Sequence, residues 1–378
     1  MSASSLARHR QRRYRRRPSA RRQRQLYRRR RFFVGALVLL LLLFLAMLVP
    51  RGCGAPGTAS GSTDAFPAEK REEESAAAAP YATVLGGGPT SAVASASPEA
   101  SGDTTATRGA ATLVAGASDA TNGPLLKNRM VAYYGHPFSA RMGVLGEFED
   151  PAQMVAALKE QAAVYSAVDP DRPAIPTIEL IASVAQGSPG RDGLYLIRTP
   201  AEVIEGYAKV AEENGCMLLL DVQVGLSTIA NEVEAIRPFL ERPYVHLAID
   251  PEYDMVPGQI PGQESGSSAG EEIMGAARTL SKLVEEKGLP AKVLVVHQFE
   301  QGMVTNKELL EPTPNVEVVL HADGFGTPEG KISKYDTLVR DEAPQYGGFK
   351  LFYQQDFLLL APEEVLQLVP APAVVSYQ

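Results

Sequence analysis

The 378-residue sequence contains no tryptophan, two cysteines and five histidines. Without an indole, stacking on a sugar ring or a base falls to tyrosine and phenylalanine. Two cysteines cannot build a disulfide-rich framework or a four-thiolate zinc site. Cys53 and Cys216 are separated by a long polar stretch, so no disulfide is expected, and Cys216, opening an apolar run, reads as a small core residue. A glycine-rich dinucleotide fingerprint is also missing: the first strand-like run of the C-terminal part continues as YYGHPFSARMG.

Charge is absent by region. Residues 1–31 hold fourteen arginines and no acid, which leaves 23 basic against 44 acidic residues, about −21, for residues 32–378. The formal net charge of −7 therefore averages two opposite characters. Residues 32–49 (FFVGALVLLLLLFLAMLV) carry no charge at all, and eighteen helical residues span roughly 27 Å, close to a hydrocarbon core of about 30 Å. A signal peptide is the competing reading, but its apolar region is usually about 7–15 residues, and Leu48-Val49-Pro50-Arg51 offers no small-residue cleavage site. Lipid modification of Cys53 is a third reading, opposed by the preceding Pro50-Arg51-Gly52. The expectation is a single transmembrane helix over 32–50, an arginine-rich cytoplasmic tail over 1–31 and the rest outside the cell. Juxtamembrane arginines are expected to rest on anionic lipid headgroups rather than on nucleic acid.

Residues 51–125 are dominated by Ala, Gly, Ser, Thr and Pro without sustained periodicity, the composition of a disordered tether with a span of roughly 50 Å. Beyond it, residues 126–378 carry eight short apolar runs: 130–136, 175–183, 216–223, 244–252, 292–298, 316–323, 349–356 and 373–378. Amphipathic helical stretches lie between most of them. Asp150-Pro151 opens one in which Met154, Val155, Leu158, Ala162 and Tyr165 share a face, Thr199-Pro200-Ala201-Glu202 has capping-box spacing, and Ala361-Pro362-Glu363-Glu364 opens the last. Strand and helix alternate throughout, and eight strands exceed the five or six of an open doubly wound sheet. The pattern predicts an α/β fold, a (β/α)8 TIM-type barrel, with no α-helix after the eighth strand unless something N-terminal replaces it.

In such barrels the chemistry gathers at the C-terminal strand ends. Alternation puts His246, Ala248, Asp250 and Glu252 on one face of the fourth run, Met217, Leu219, Asp221 and Gln223 on one face of the third, and His321 with Asp323 on one face of the sixth. The second run offers Glu179 and the fifth His297. Acids at strand ends often only mark where a strand reaches water, but five strands ending in carboxylate or imidazole point to a shared pocket. Tyr134, Tyr353 and Tyr377 are candidate aromatic surfaces there, while His246, inside its strand, reads as a core histidine. The Gly/Pro/Ser-rich stretch 256–270 after the fourth run is either a lid or an insertion, and Asp323-Gly324-Phe325-Gly326 is read as a glycine-rich loop.

Asp250-Pro251-Glu252 resembles the fourth-strand signature of chitinase-like glycosidases and of Chalaropsis-type lysozymes, although the fuller acid-rich chitinase stretch is absent. The resemblance implies that Glu252 protonates a leaving oxygen with Asp250 as its partner, and that Asp221 or Asp323 supplies a second carboxylate. His136, His297 and His321 resemble the metal-holding histidines of amidohydrolases, but Tyr134 and the ending Ser376-Tyr377-Gln378 replace two of that family's ligands, so no metal or other cofactor is assigned. The stretches YYGHP, AIDPEYDM, KVLVVHQF, DGFG, KLFYQQD and VVSYQ together resemble a family of uncharacterised bacterial exported or membrane-anchored barrel proteins. The expected function is a glycosidase-like hydrolase of cell-envelope glycan, with Glu252, Asp250, Asp221 and Asp323 in the chemistry and Glu179, Gln223, His297, His321, Tyr134, Tyr353 and Tyr377 contacting the glycan. A non-catalytic barrel binding glycan or an exported protein is the first alternative, and a metal-dependent hydrolase of amidohydrolase type is the second.

Overall fold

The structure, a computed structural model, describes residue 121 and residues 123–378 apart from 312, 341, 343 and 344. The expected tail, membrane helix and nearly all of the tether lie outside the described residues, among which no helix is long and apolar enough to cross a membrane.

Eight parallel strands close into a barrel: β1 (Arg129–Gly135), β2 (Ala174–Ala185), β3 (Met217–Gly225), β4 (Val245–Asp254), β5 (Lys292–Gln298), β6 (Val316–Ala322), β7 (Tyr346–Leu351) and β8 (Val374–Tyr377). Each pairs with the next, and β8 returns to β1 with Met130 opposite Val374. Among the described residues six helices surround them: α1 (Pro151–Val168), α2 (Ala201–Asn214), α3 (Ile229–Leu240), α4 (Gly270–Lys287), α5 (Pro328–Leu338) and the single turn α6 (Pro362–Val365). Between β5 and β6 a 3-10 turn at Lys307–Leu309 replaces the α-helix.

The local signals act unevenly. Asp150 caps α1 by accepting from the Ala152 N–H, and the five residues expected on its inner face are its buried ones. Thr199, by contrast, does not cap α2; its hydroxyl donates to the Ile181 carbonyl, and Pro200 stands at the cap position. The helix also runs on to Asn214, ending at Gly215, whose φ of 65° suits glycine.

Strand β7 departs most from expectation, covering Tyr346–Leu351 rather than 349–356. Its start is hidden by Gly347 and Gly348, which weaken the apolar pattern but are needed for close approach. A Cβ at Gly348 would collide with the His321 ring, and one at Gly347 would meet the Tyr335 hydroxyl. Its end is set by Asp356, which takes the Phe352 N–H and Lys331 and so turns the chain out of the sheet.

Two hydrophobic layers follow from strand alternation. Outward-facing residues such as Leu218, Leu220, Val222, Leu247 and Ile249 pack with the helices, together with the buried thiol of Cys216. The inner layer at the N-terminal end holds Met130, Leu219, Ala248, Val293, Val295, Val319, Tyr346 and Val374, plugged from below by Leu125 in the 3-10 turn Pro124–Leu126. That plug closes the N-terminal end of the barrel interior.

Candidate functional site

At the C-terminal end the inner layer turns from apolar to ionisable. His297 on β5 is the hub: Nε2 lies 3.0 Å from Oε1 of Glu179 on β2, and Nδ1 lies 3.1 Å from Oδ2 of Asp323 just beyond β6. Lys350 on β7 donates to the same Asp323 oxygen at 3.0 Å, and its Nζ sits 3.5 Å from the ring centroid of Tyr134 on β1. The Tyr134 hydroxyl donates to Oδ2 of Asp221 on β3 at 3.2 Å. On β4, Oδ1 of Asp250 accepts the Glu252 N–H at 3.2 Å, which ties the two members of the acid pair together. Glu179 and Asp221 are fully buried, and His297 is 2 % exposed.

The network divides its charges. With a carboxylate on each ring nitrogen, His297 is held well above the ordinary histidine range: burial opposes the charge, but the bonds to Asp323 and Glu179 prevail. Asp323 is held well below the carboxylate range, because the Lys350 charge and the His297 bond overcome burial. Glu179 is lowered in the same way, burial being outweighed by the His297 bond and charge.

The other three carboxyls go the opposite way. Burial, with the Glu179 charge adding to it, raises Asp221 to about 6. Burial and the Asp221 charge push Asp250 well above its ordinary value. Glu252 is raised to about 7, first by burial and then by the charge of Asp323. Among the described residues, the ion pairs of the mouth engage Glu179 and Asp323 and none engages Asp221, Asp250 or Glu252.

A second buried pair adjoins the hub. His321 on β6 stacks at a tilt against His297, ring centroids 4.8 Å apart, and its Nε2 is 3.0 Å from the Ser376 hydroxyl on β8. Burial and the nearby charge of His297 lower His321 to about 3, so it remains neutral.

The barrel thus brings together Glu179, Asp221, Asp250, Glu252, His297, His321, Asp323 and Tyr134. Gln223 faces inward too, but its side-chain oxygen accepts the Ala185 N–H. Tyr377 and Tyr353 lie elsewhere. Alternation on β8 turns Ser376 inward and Tyr377 outward, where its hydroxyl meets that of Tyr165 on α1 at 2.8 Å. Tyr353, beyond the end of β7, stacks on Tyr377 with centroids 5.0 Å apart and donates to Gln161. The three histidines of the metal reading do not converge: His136 pairs with the Thr199 hydroxyl, and among the described residues no group is arranged to hold a metal. His246 is a core histidine whose Nδ1 accepts the Val293 N–H. The stretch after β4 is tied down, with the Gly266 N–H on the Glu252 carbonyl and a short strand Ser268–Ala269 paired with Val304–Thr305.

Two members of the site stand outside the expected set, Lys350 and Ser376. Lys350 interrupts the apolar sequence Phe349–Phe352, and a lysine inside a barrel strand is itself a signal, since lysine is almost never buried unless paired. Ser376 carries no such mark.

No protein-family model and no curated protein matches this sequence.

Proposed function

We propose that the barrel is a glycosidase-like hydrolase acting on cell-envelope glycan, held outside the cell by the apolar run at 32–49. The observation that carries this reading is the separation of Glu252 from Asp323. One carboxyl is kept protonated to about pH 7 by burial and by its neighbour, while the neighbour is kept ionised by Lys350 and His297. Glycoside cleavage requires such a pair, an acid to protonate the leaving oxygen and a carboxylate to face the developing positive charge on the sugar. Glu252 is assigned the proton donor. Asp250, bonded to the Glu252 backbone, positions it, and Asp323 with Asp221 supplies the negative side of the site.

The test is reducing-end release from purified wall polysaccharide. Glu252→Gln keeps shape and hydrogen bonding but removes the proton, and release is expected to fall about 10²–10⁴-fold with glycan binding retained. Release that is unaffected by the substitution excludes Glu252 as the acid. Binding without release from the unaltered protein identifies the non-catalytic alternative.

A further inference from the structure

The carboxyls of the mouth outnumber its cations, and the imbalance is localised. Two side chains in direct contact with these carboxyls, His297 and Lys350, carry positive charge, and both are spent on Glu179 and Asp323, while Lys331, paired with Asp356, and Lys334 stand further out on the Asp323 side. Asp221, Asp250 and Glu252 have no cationic partner within ion-pair distance among the described residues. Among the described residues, two fully buried carboxyl oxygens, Oδ1 of Asp221 and Oε2 of Glu179, also have no hydrogen-bond donor. Buried acceptors are normally satisfied, because each orphaned one costs about 1–3 kcal/mol. Both belong to side chains whose other oxygen is anchored, to Tyr134 and to His297, so neither can turn away to find a partner in the chain.

A component that donates hydrogen bonds would satisfy these oxygens, and one that also brings positive charge would let Asp221 and Asp250 ionise. A metal ion is a poor match, since no group of three ligands is arranged for one among the described residues. A sugar hydroxyl satisfies an oxygen but leaves the charge. A primary ammonium does both, with three N–H donors on a compact cation. We propose that the mouth recognises a protonated amine through Asp221, with Asp250 completing the charge, and that its glycan is one bearing free amino groups rather than acetamido groups alone. This deepens the glycan reading above and rests on it for the sugar part of the ligand. The raised Asp221 and Asp250 carboxyls are what such a site looks like before its cation arrives.

The experiment is calorimetric titration of the full chain, at about pH 6, with three probes: a β-1,4-linked glucosamine tetramer, the N-acetylglucosamine tetramer, and a short lysine-containing peptide as an amine without sugar. The glucosamine tetramer is expected to bind at least about tenfold more tightly than the other two. Asp221→Asn is expected to reduce that preference to about twofold, with the larger loss falling on the glucosamine tetramer. If that variant does not fold, as judged by circular dichroism, Asp250→Asn is expected to reduce the preference in its place. Equal affinity for the two tetramers, or a preference that survives in the folded variant, overturns the proposal. Tightest binding of the peptide overturns its assignment to an amino sugar. Binding is read without turnover, so the two readings fail separately. Glycan release with equal affinities leaves the hydrolase and removes the amine, whereas amine preference without release does the reverse.

Discussion

Both ends of the barrel interior bury ionisable side chains, yet they treat them differently. At the closed end, His246 is lowered to about 3, mainly by burial, and its Nδ1 takes a backbone N–H. Next to it, on the outward face of β5, Lys292, lowered to about 8 by burial, gives its ammonium to the carbonyls of Arg242 and Val245. Glu317 accepts the Leu125 N–H and so holds the plug in place. These polar groups serve backbone that would otherwise be orphaned in an apolar layer. At the open end, charged side chains serve one another, leave acceptors over, and drive neighbouring carboxyls to opposite protonation states. Burial of a charged residue is therefore not itself a mark of function; the mark is burial that leaves chemistry unspent.

The contrast can be broken or sharpened by substitution. The largest stability effect is expected at the hub, where His297→Leu leaves Glu179 without its ion-pair partner and Asp323 with the Lys350 charge and the Gly324 N–H. Equilibrium unfolding in denaturant is expected to show a loss of about 3–5 kcal/mol; a loss below about 1 kcal/mol would mean that water already solvates these carboxylates.

At the other end, Leu125→Ala empties a fully buried position in the inner floor. It is expected to cost roughly 3 kcal/mol by the same measurement and to leave glycan affinity at the mouth unchanged. An altered affinity would show that the two ends are not separable.

The smallest effect is a pH dependence. Glu252 is raised to about 7 in the folded protein, against an ordinary value near 4.3 when unfolded. In that window the folded state binds more protons than the unfolded one, so this group makes stability fall as pH rises. Relative to Glu252→Gln, the unaltered protein is expected to lose on the order of 2 kcal/mol between about pH 4 and pH 7, partial exposure trimming the full linkage value. Parallel stability curves for the two proteins would show that the Glu252 carboxyl is not raised.

Much of this was legible in residue order. The alternation of apolar runs with capped helices reflects short-range physics, and each strand end could be read with its neighbours out of sight. Period-two alternation put Asp221 with Gln223, Asp250 with Glu252, and His321 with Asp323 on shared strand faces, because successive side chains on a strand must point to opposite sides. The same rule, applied to β8 with Ser376 inward, would have sent Tyr377 outward.

What residue order could not carry was the strand register and the pairing between strands. Six strands lie between β1 and β8 along the chain, yet barrel closure makes the two neighbours. Closure sets Lys350 over Tyr134, carries His297 across the interior to Glu179, and divides the cations so that two carboxyls are paired and three are not. The sequence by itself determined the barrel and the end at which its polar residues gather, since both follow from local periodicity. Which carboxyl keeps its proton was decided only by the tertiary structure, because that depends on burial and on charges a few ångströms away that lie tens to hundreds of residues distant in the chain.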